Sequence, residues 1–268
     1  MKISFSTLGC PGWSWEDILV TAKDLGLDGI EIRGIENELY VPEAKPFADS
    51  SLQATKARLE KLKLEIPCLT SSCLLPDKAG IDSFIKEGKE YIDLAEKLGT
   101  PFIRVLGDAN AEKSHPVDTE YIAANLSILA KYAEGRNVKV LVETNGFFAD
   151  SKEILRLINK VDNPNTGILW DIHHPFRFMN EPIEKTYNAL KNHIMFVHIK
   201  DSVIEGGKVR YKMMGYGDVP VRNALLLLKN GGYQGYVSLE WVKRWCIELE
   251  DPGVVFSQFV NYTRDVLV

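Results

Sequence analysis

A (β/α)8 barrel is the fold this sequence predicts, and three observations predict it. Short β-branched runs alternate with amphipathic stretches from one end to the other, the rhythm of βαβ units and a parallel sheet. Eight such units fill 268 residues with no linker or composition break, the size of a closed barrel. A doubly wound open sheet, the competing architecture, usually has fewer strands and opens on a glycine-rich phosphate turn, which is absent here. One barrel domain over residues 1–268 is therefore expected.

In chain order the strand-like runs are residues 3–7, 29–33, 65–71, 102–107, 138–145, 166–173, 194–201 and 236–242. They are apolar almost throughout, as in Val138-Lys139-Val140-Leu141-Val142, which suits parallel strands covered by helices. Helical patterns occupy residues 14–25, 51–63, 81–98, 119–134, 152–160, 183–191, 221–229 and 254–266. In the third of these, Ile81, Phe84, Ile85, Ile92, Leu94, Ala95 and Leu98 keep helical spacing on one side. Leu25-Gly26, Leu98-Gly99 and Asn230-Gly231-Gly232 end three helices just before the next strand, because glycine supplies a left-handed cap. Two segments break the rhythm. Residues 203–212, with Glu205-Gly206-Gly207 at their centre, read as a hairpin after strand seven. Residues 34–50 form a longer excursion after strand two. Both would stand over the C-terminal mouth, where long βα loops tend to be functional.

Composition narrows the function. With 32 Lys+Arg against 37 Asp+Glu, the formal net charge is −5, which argues against a general nucleic-acid or anionic-membrane binder. At 45% hydrophobic and 26% charged, the chain matches an average globular protein. No apolar run approaches the roughly 20 residues needed to span a bilayer. Met1-Lys2-Ile3-Ser4-Phe5 runs directly into a strand pattern, without a signal-peptide segment. Cys10, Cys68, Cys73 and Cys246 form no CxxC and no zinc-ribbon spacing, so a reducing, cytoplasmic location is expected.

Barrel chemistry gathers at the C-terminal ends of strands. Strand five ends in Val142-Glu143-Thr144-Asn145 and strand six in Trp170-Asp171-Ile172-His173-His174. Strand seven carries Val197-His198-Ile199-Lys200-Asp201, and strand eight ends in Leu239-Glu240-Trp241. Four consecutive strands thus each deliver a potential metal ligand: Glu143, Asp171, His198 and Glu240, at spacings of 28, 27 and 42. The first two spacings are one β/α unit each, and the third is one unit lengthened by the hairpin. A lone glutamate at a strand end is usually a solvated cap; four groups in phase predict a shared ion. Three carboxylates and one imidazole, with no thiolate, form a hard shell suited to one divalent metal ion, Mn²⁺ or Mg²⁺ first and Co²⁺ or Zn²⁺ next. Glu31 and Arg33 share a face of strand two and Arg104 lies in strand four; a structural ion pair and substrate contact explain them equally. Trp13 and Trp15 either wall the pocket or cap the first helix.

Several strings in this chain resemble the xylose-isomerase-like TIM barrel superfamily, the sugar phosphate isomerase/epimerase group. They are Gly29-Ile30-Glu31-Ile32-Arg33, Glu143-Thr144-Asn145, Asp171-Ile172-His173-His174 (D-x-x-H), His198-Ile199-Lys200-Asp201 (H-x-K-D) and the turn Gly215-Tyr216-Gly217-Asp218-Val219. Their order and spacing make the set specific. In the ketose 3-epimerase and inositol-catabolism branches, the matching Glu143, Asp171, His198 and Glu240 bind one divalent metal, and Glu143 and Glu240 are also the acid/base pair. His174 would contact substrate oxygens, as would Lys200 and, inside the hairpin, Arg210. The resemblance implies an isomerase or epimerase of a small sugar, keto-sugar or polyol derivative. Proton transfer at carbon then passes through an enediolate whose charge a chelating metal stabilises. Its partners are a small carbohydrate substrate and copies of itself in a homo-oligomer, with no nucleic acid and no membrane.

The same metal and carboxylates, with a β-hydroxyl leaving group, would make a dehydratase (lyase) of an inosose- or dehydroshikimate-like substrate. The endonuclease IV branch is opposed by the ends of strands three and four, Leu69-Thr70-Ser71-Ser72 and Val105-Leu106-Gly107-Asp108, which lack its additional histidines. A non-catalytic sugar-binding barrel is opposed by the intact ligand set.

Overall fold

The computed structural model describes residues 1–110 and 115–267. Eight parallel strands make one curved sheet: β1 (Lys2–Ser6), β2 (Gly29–Glu31), β3 (Cys68–Leu74), β4 (Phe102–Leu106), β5 (Lys139–Glu143), β6 (Thr166–Asp171), β7 (Ile194–Ile199) and β10 (Tyr236–Leu239). Between the last two, β8 (Asp201–Glu205) and β9 (Lys208–Lys212) form an antiparallel hairpin. The order around the sheet is β2-β1-β10-β7-β6-β5-β4-β3. Isolated parallel bridges from Gly29 to Glu65 and from Ile32 to Leu69 draw its two edges together into a barrel.

Around this sheet lie α1 (Trp15–Asp24), α2 (Leu52–Leu62), α3 (Ile81–Leu98), α4 (Thr119–Tyr132), α5 (Ser151–Val161), α6 (His173–Met179), α7 (Ile183–Leu190), α8 (Val221–Asn230) and α9 (Pro252–Leu267). Local chemistry starts and stops them. Ser14 and Asp17 form a reciprocal capping box at α1, and Asp118 and Asp150 accept backbone N–H groups at the starts of α4 and α5. Gly99, at φ 77°, ends α3 in the left-handed conformation that glycine adopts without strain. The hairpin expected from the sequence turns on Gly206 and Gly207, at φ 58° and 75°, the two positive φ angles that a two-residue turn needs.

Strand alternation divides the core. Val140, Val142, Ile168, Trp170, Val197 and Ile199 point outward and join Ile154, Leu157, Leu190 and Leu225 in the helix-covered core. Cys68, Leu141, Leu169, Phe196 and Tyr236 point inward and form a separate apolar floor within the barrel. Because successive inward residues are two apart, the next layer toward the mouth holds Thr70, Glu143, Asp171, His198 and Ser238, all buried. This polar layer therefore stands on an apolar plug.

Several strands are shorter than the sequence suggests, β2, β5, β7 and β10 each ending before the expected residue, and three segments have an identifiable local structure. The strand expected at 166–173 stops at Asp171, whose Oδ1 accepts the His173 N–H at 2.9 Å, and the chain turns into α6. The strand expected to begin at 65 begins at Cys68, because Pro67 has no N–H to give a ladder. The excursion at 34–50 contains two short 3-10 turns, Val41–Glu43 and Lys45–Phe47.

Candidate metal centre and active site

Each predicted ligand sits at the C-terminal end of an adjacent strand or just past it: Glu143 on β5, Asp171 on β6, His198 on β7 and Glu240 immediately after β10. Register makes them converge, since Asp171 pairs with His198 across β6 and β7, and His198 with Ser238 across β7 and β10. One donor atom from each of the four lies within 4.8 Å of the others. All four residues are buried, Asp171 and His198 completely.

The decisive detail is His198. Its Nε2 lies 3.0 Å from both carboxylate oxygens of Glu31, which also accept from Thr70 Oγ1 at 2.6 Å and Ser238 Oγ at 2.7 Å. The ring is thereby fixed from behind. Its Nδ1 is buried with no hydrogen-bond partner among the described residues, 3.5 Å from Glu240 Oε1 and 3.9 Å from Asp171 Oδ2. An orphaned ring nitrogen facing carboxylates is a donor set suited to a cation, and the donors are hard oxygens plus one imidazole. The residues fit a divalent cation.

Further side chains complete the layer. Arg104 Nε is 3.1 Å from Glu143 Oε2, and Arg104 Nη1 donates to the Ser71 carbonyl at 3.0 Å. His174, on the first turn of α6, has Nδ1 3.0 Å from the Thr144 carbonyl and Nε2 3.7 Å from Asp171 Oδ2. Lys200 Nζ donates to both Asp171 Oδ2 and Glu240 Oε2. The neighbouring His173 has Nε2 2.9 Å from Ser202 Oγ.

These contacts set the charge states. Burial would raise the Glu31 carboxyl, but the His198 ring and the three hydrogen bonds hold it at about 2. Burial opposes charge on His198, yet the Glu31 and Glu240 carboxylates raise its pKa to about 9. Asp171 and Glu240 are likewise held below the usual carboxylate range against burial, Asp171 by His174 and Lys200 and Glu240 by Lys200 and His198. Burial would lower the Lys200 ammonium, but Asp171 and Glu240 hold it above the usual range. Burial, reinforced by Lys200, keeps His173 well below the ordinary imidazole value.

The structure thus brings Glu143, Asp171, His174, His198, Lys200 and Glu240 together and leaves Arg210 outside. Arg210 lies opposite Val203 in the hairpin and is exposed. Strand alternation turns its neighbour Tyr211 inward instead, with its ring 5.7 Å from the His173 ring. Glu31 and Arg104, ambiguous in the sequence, are partners of His198 and Glu143. Their signal was a charge at an inward position of an otherwise apolar strand. Trp13 and Trp15 pack edge-on against Phe256 and Phe47 respectively, each at 5.6 Å between ring centroids.

Comparison with known proteins agrees with this fold. A family model described as Xylose isomerase-like TIM barrel matches residues 19–256. A curated relative from Shigella flexneri, fructoselysine 3-epimerase, is 24% identical over 286 aligned positions covering 100% of this chain and 98% of its own. Among solved structures, the IOLI protein with a bound zinc atom superposes with a TM-score of 0.80 at 21% identity, covering 100% of this chain and 98% of that one. D-allulose 3-epimerase from Methylomonas sp., in complex with D-allulose, gives 0.77 at 17% identity, covering 99% and 96%. At these identities the solved structures attest the fold.

Proposed function

Because the chain belongs to the Xylose isomerase-like TIM barrel family, we propose that it is a divalent-metal-dependent epimerase or isomerase of a small sugar, keto-sugar or polyol derivative. One observation carries this reading: four buried donors converge, and His198 Nδ1 among them has no hydrogen-bond partner among the described residues. The full-length match to a protein named fructoselysine 3-epimerase supports it.

Glu143, Asp171, His198 and Glu240 would hold the ion. A divalent cation bound there polarises the substrate carbonyl and stabilises the negative charge that develops on its oxygen; Mn²⁺ and Mg²⁺ suit the oxygen-rich donors best, with Co²⁺ and Zn²⁺ next. Glu143 and Glu240 move the proton. β6 and β7 lie between their strands in the sheet, so the two carboxylates enter from different directions. One takes the C–H proton beside the carbonyl, and the electron pair moves onto the carbonyl oxygen to give an enediolate. The other returns a proton to the opposite face of the same carbon, which inverts it. Return to the neighbouring carbon gives an aldose–ketose interchange instead. Arg104 fixes the angle of Glu143, and His174, anchored on Thr144, presents its ring to the substrate oxygens. Lys200 is already engaged by two carboxylates, so its part is to position them. Free thiols at Cys10, Cys68, Cys73 and Cys246 fit a cytoplasmic enzyme.

The test is metal analysis beside isotope exchange. Wild-type protein incubated with Mn²⁺ should hold a single ion per chain, which Glu143→Ala/Glu240→Ala loses. The loaded protein should carry deuterium from heavy water into the carbon beside a keto-sugar carbonyl. Protein that takes up none of Mn²⁺, Mg²⁺, Co²⁺ or Zn²⁺ would overturn the reading.

A further inference from the structure

The corner of the mouth beside β2 and β3 holds a cation that the metal centre does not use. Arg33 lies two residues beyond Glu31, on the same inward face and one pleat nearer the mouth. The residue is 9% exposed. Its Nη2 donates to Ser72 Oγ at 2.9 Å, while Nη1 is buried with no hydrogen-bond partner among the described residues. A buried guanidinium N–H without an acceptor is unfavourable, and it marks a place where an acceptor arrives from outside.

Its surroundings say what kind of acceptor. The ring of Trp245, from the loop between β10 and α9, lies 5.8 Å from the guanidinium carbon, and Trp245 is 56% exposed. An indole beside a guanidinium leaves the N–H edge free for a planar partner. Glu87 of α3 is within the field of Arg33, but its Oε1 is taken by the Ser72 N–H at 2.6 Å. The charge of Glu240 also reaches Arg33, which puts the guanidinium on the metal-centre side of the mouth. Arg104 and Lys200, by contrast, are matched to Glu143 and to Asp171 with Glu240.

We propose that Arg33, with Trp245 over it and Ser72 beside it, is the subsite for a carboxylate at the end of the substrate remote from the reacting carbonyl. This rests on the epimerase reading above and narrows it, for the substrate class becomes an acidic keto-sugar. A carboxylate matches a guanidinium edge in both shape and charge. A phosphate monoester brings close to two negative charges, whereas Arg33 supplies one positive charge and shares it with Glu87 and Glu240.

The probes are D-fructose and D-fructuronate, two keto-sugars that differ only at C6, titrated calorimetrically into Mn²⁺-loaded protein. Wild type should bind fructuronate at least about tenfold more tightly than fructose. Arg33→Met should abolish that preference while changing fructose affinity less than about twofold. Trp245→Ala, an exposed position that should not disturb folding, is expected to cut the preference about threefold and keeps the test open if Arg33→Met does not fold. Fructose binding with no preference for fructuronate, or a preference that survives Arg33→Met, overturns the subsite and leaves the epimerase reading standing. Binding of neither sugar overturns both.

Discussion

Glu31 shows how much of this site depends on residues that would never touch the ion. Its carboxylate receives His198 Nε2, Thr70 Oγ1 and Ser238 Oγ, joining β2, β3, β7 and β10 at one point. Such a carboxylate behind a ligating imidazole fixes the ring and makes it a better donor. Glu31→Gln is therefore expected to weaken Mn²⁺ affinity by about 10- to 100-fold with cooperative unfolding retained; unchanged affinity in a metal titration would defeat the positioning role. Glu240 is, in the proposed mechanism, one half of the acid/base pair. Glu240→Gln should leave the fold largely intact and lower isotope exchange by about a hundredfold or more, and near-wild-type exchange would remove Glu240 from the acid/base pair. At this scale the sequence was informative where a residue's role follows from its own strand. Glu143, Asp171, His198 and Glu240 are each the inward residue at a strand end, and period-two alternation finds them. It was silent where the role depends on another strand. That Glu31 serves His198, 167 positions away, or that Lys200 bridges Asp171 and Glu240, follows from how the barrel closes.

At the scale of elements, α6 is the piece that sequence reading missed, and it carries His174. The run Trp170-Asp171-Ile172-His173-His174 reads as strand because its apolar residues continue. Asp171 ends it by turning a carboxylate oxygen back onto the His173 amide, and Pro175 is tolerated because the first turn of a helix needs no N–H there. Beneath α6, a buried clamp fixes the neighbouring helices. Glu181 is 3% exposed and accepts from Ser151 Oγ at the start of α5 and from Thr186 Oγ1 in α7, each at 2.8 Å. Lys185 Nζ lies 2.8 Å from its Oε1. Glu181→Ala takes away the acceptor of the Ser151 hydroxyl and the nearer of the two acceptors of Thr186, and is expected to cost about 2 kcal/mol in urea unfolding. The pH dependence has a definite sign. Burial would raise the Glu181 carboxyl, but Lys185, Thr186 and Ser151 hold it below the usual carboxylate value. The folded state therefore binds the proton less readily than the unfolded chain. The stabilisation is full above the unfolded value, near pH 4.5, and is lost as pH falls through the lower, folded one. Glu181→Gln should flatten this acid limb, and a variant losing stability in parallel with wild type between pH 6 and 3 would show that the clamp carries no such linkage.

For the whole molecule, the eight-unit rhythm and the polar layer above an apolar floor are written into alternation along each strand, and so were legible. The closing seam was not. β2 is only three residues long, and the ring joins through Ile30 N–H to the Glu65 carbonyl at 2.9 Å, Ile32 N–H to Cys68 at 3.1 Å and Thr70 N–H to Ile32 at 2.8 Å. Which edges meet, and how tightly, depends on backbone approach that periodicity does not report. Gly29 is where the approach is closest. A Cβ there would lie 2.8 Å from the Glu65 carbonyl oxygen, 3.0 Å from the Tyr236 ring and 3.1 Å from Pro67. The nearest of these is backbone already bonded across the seam, so no flexible side chain can give way. Gly29→Ala should therefore part β2 from the segment entering β3, at about 2 kcal/mol and a fall in Tm of roughly 5 °C. Because the displaced strand carries Glu31, which holds His198, the same variant should also bind Mn²⁺ more weakly. Glu181→Ala supplies the control: it should lose comparable stability on the other side of the barrel and keep its metal affinity. If Gly29→Ala is as stable as wild type, the seam is looser than its contacts imply. If it loses stability but binds Mn²⁺ as before, barrel closure and the metal centre are independent, and the chain of support from seam to Glu31 to His198 is broken.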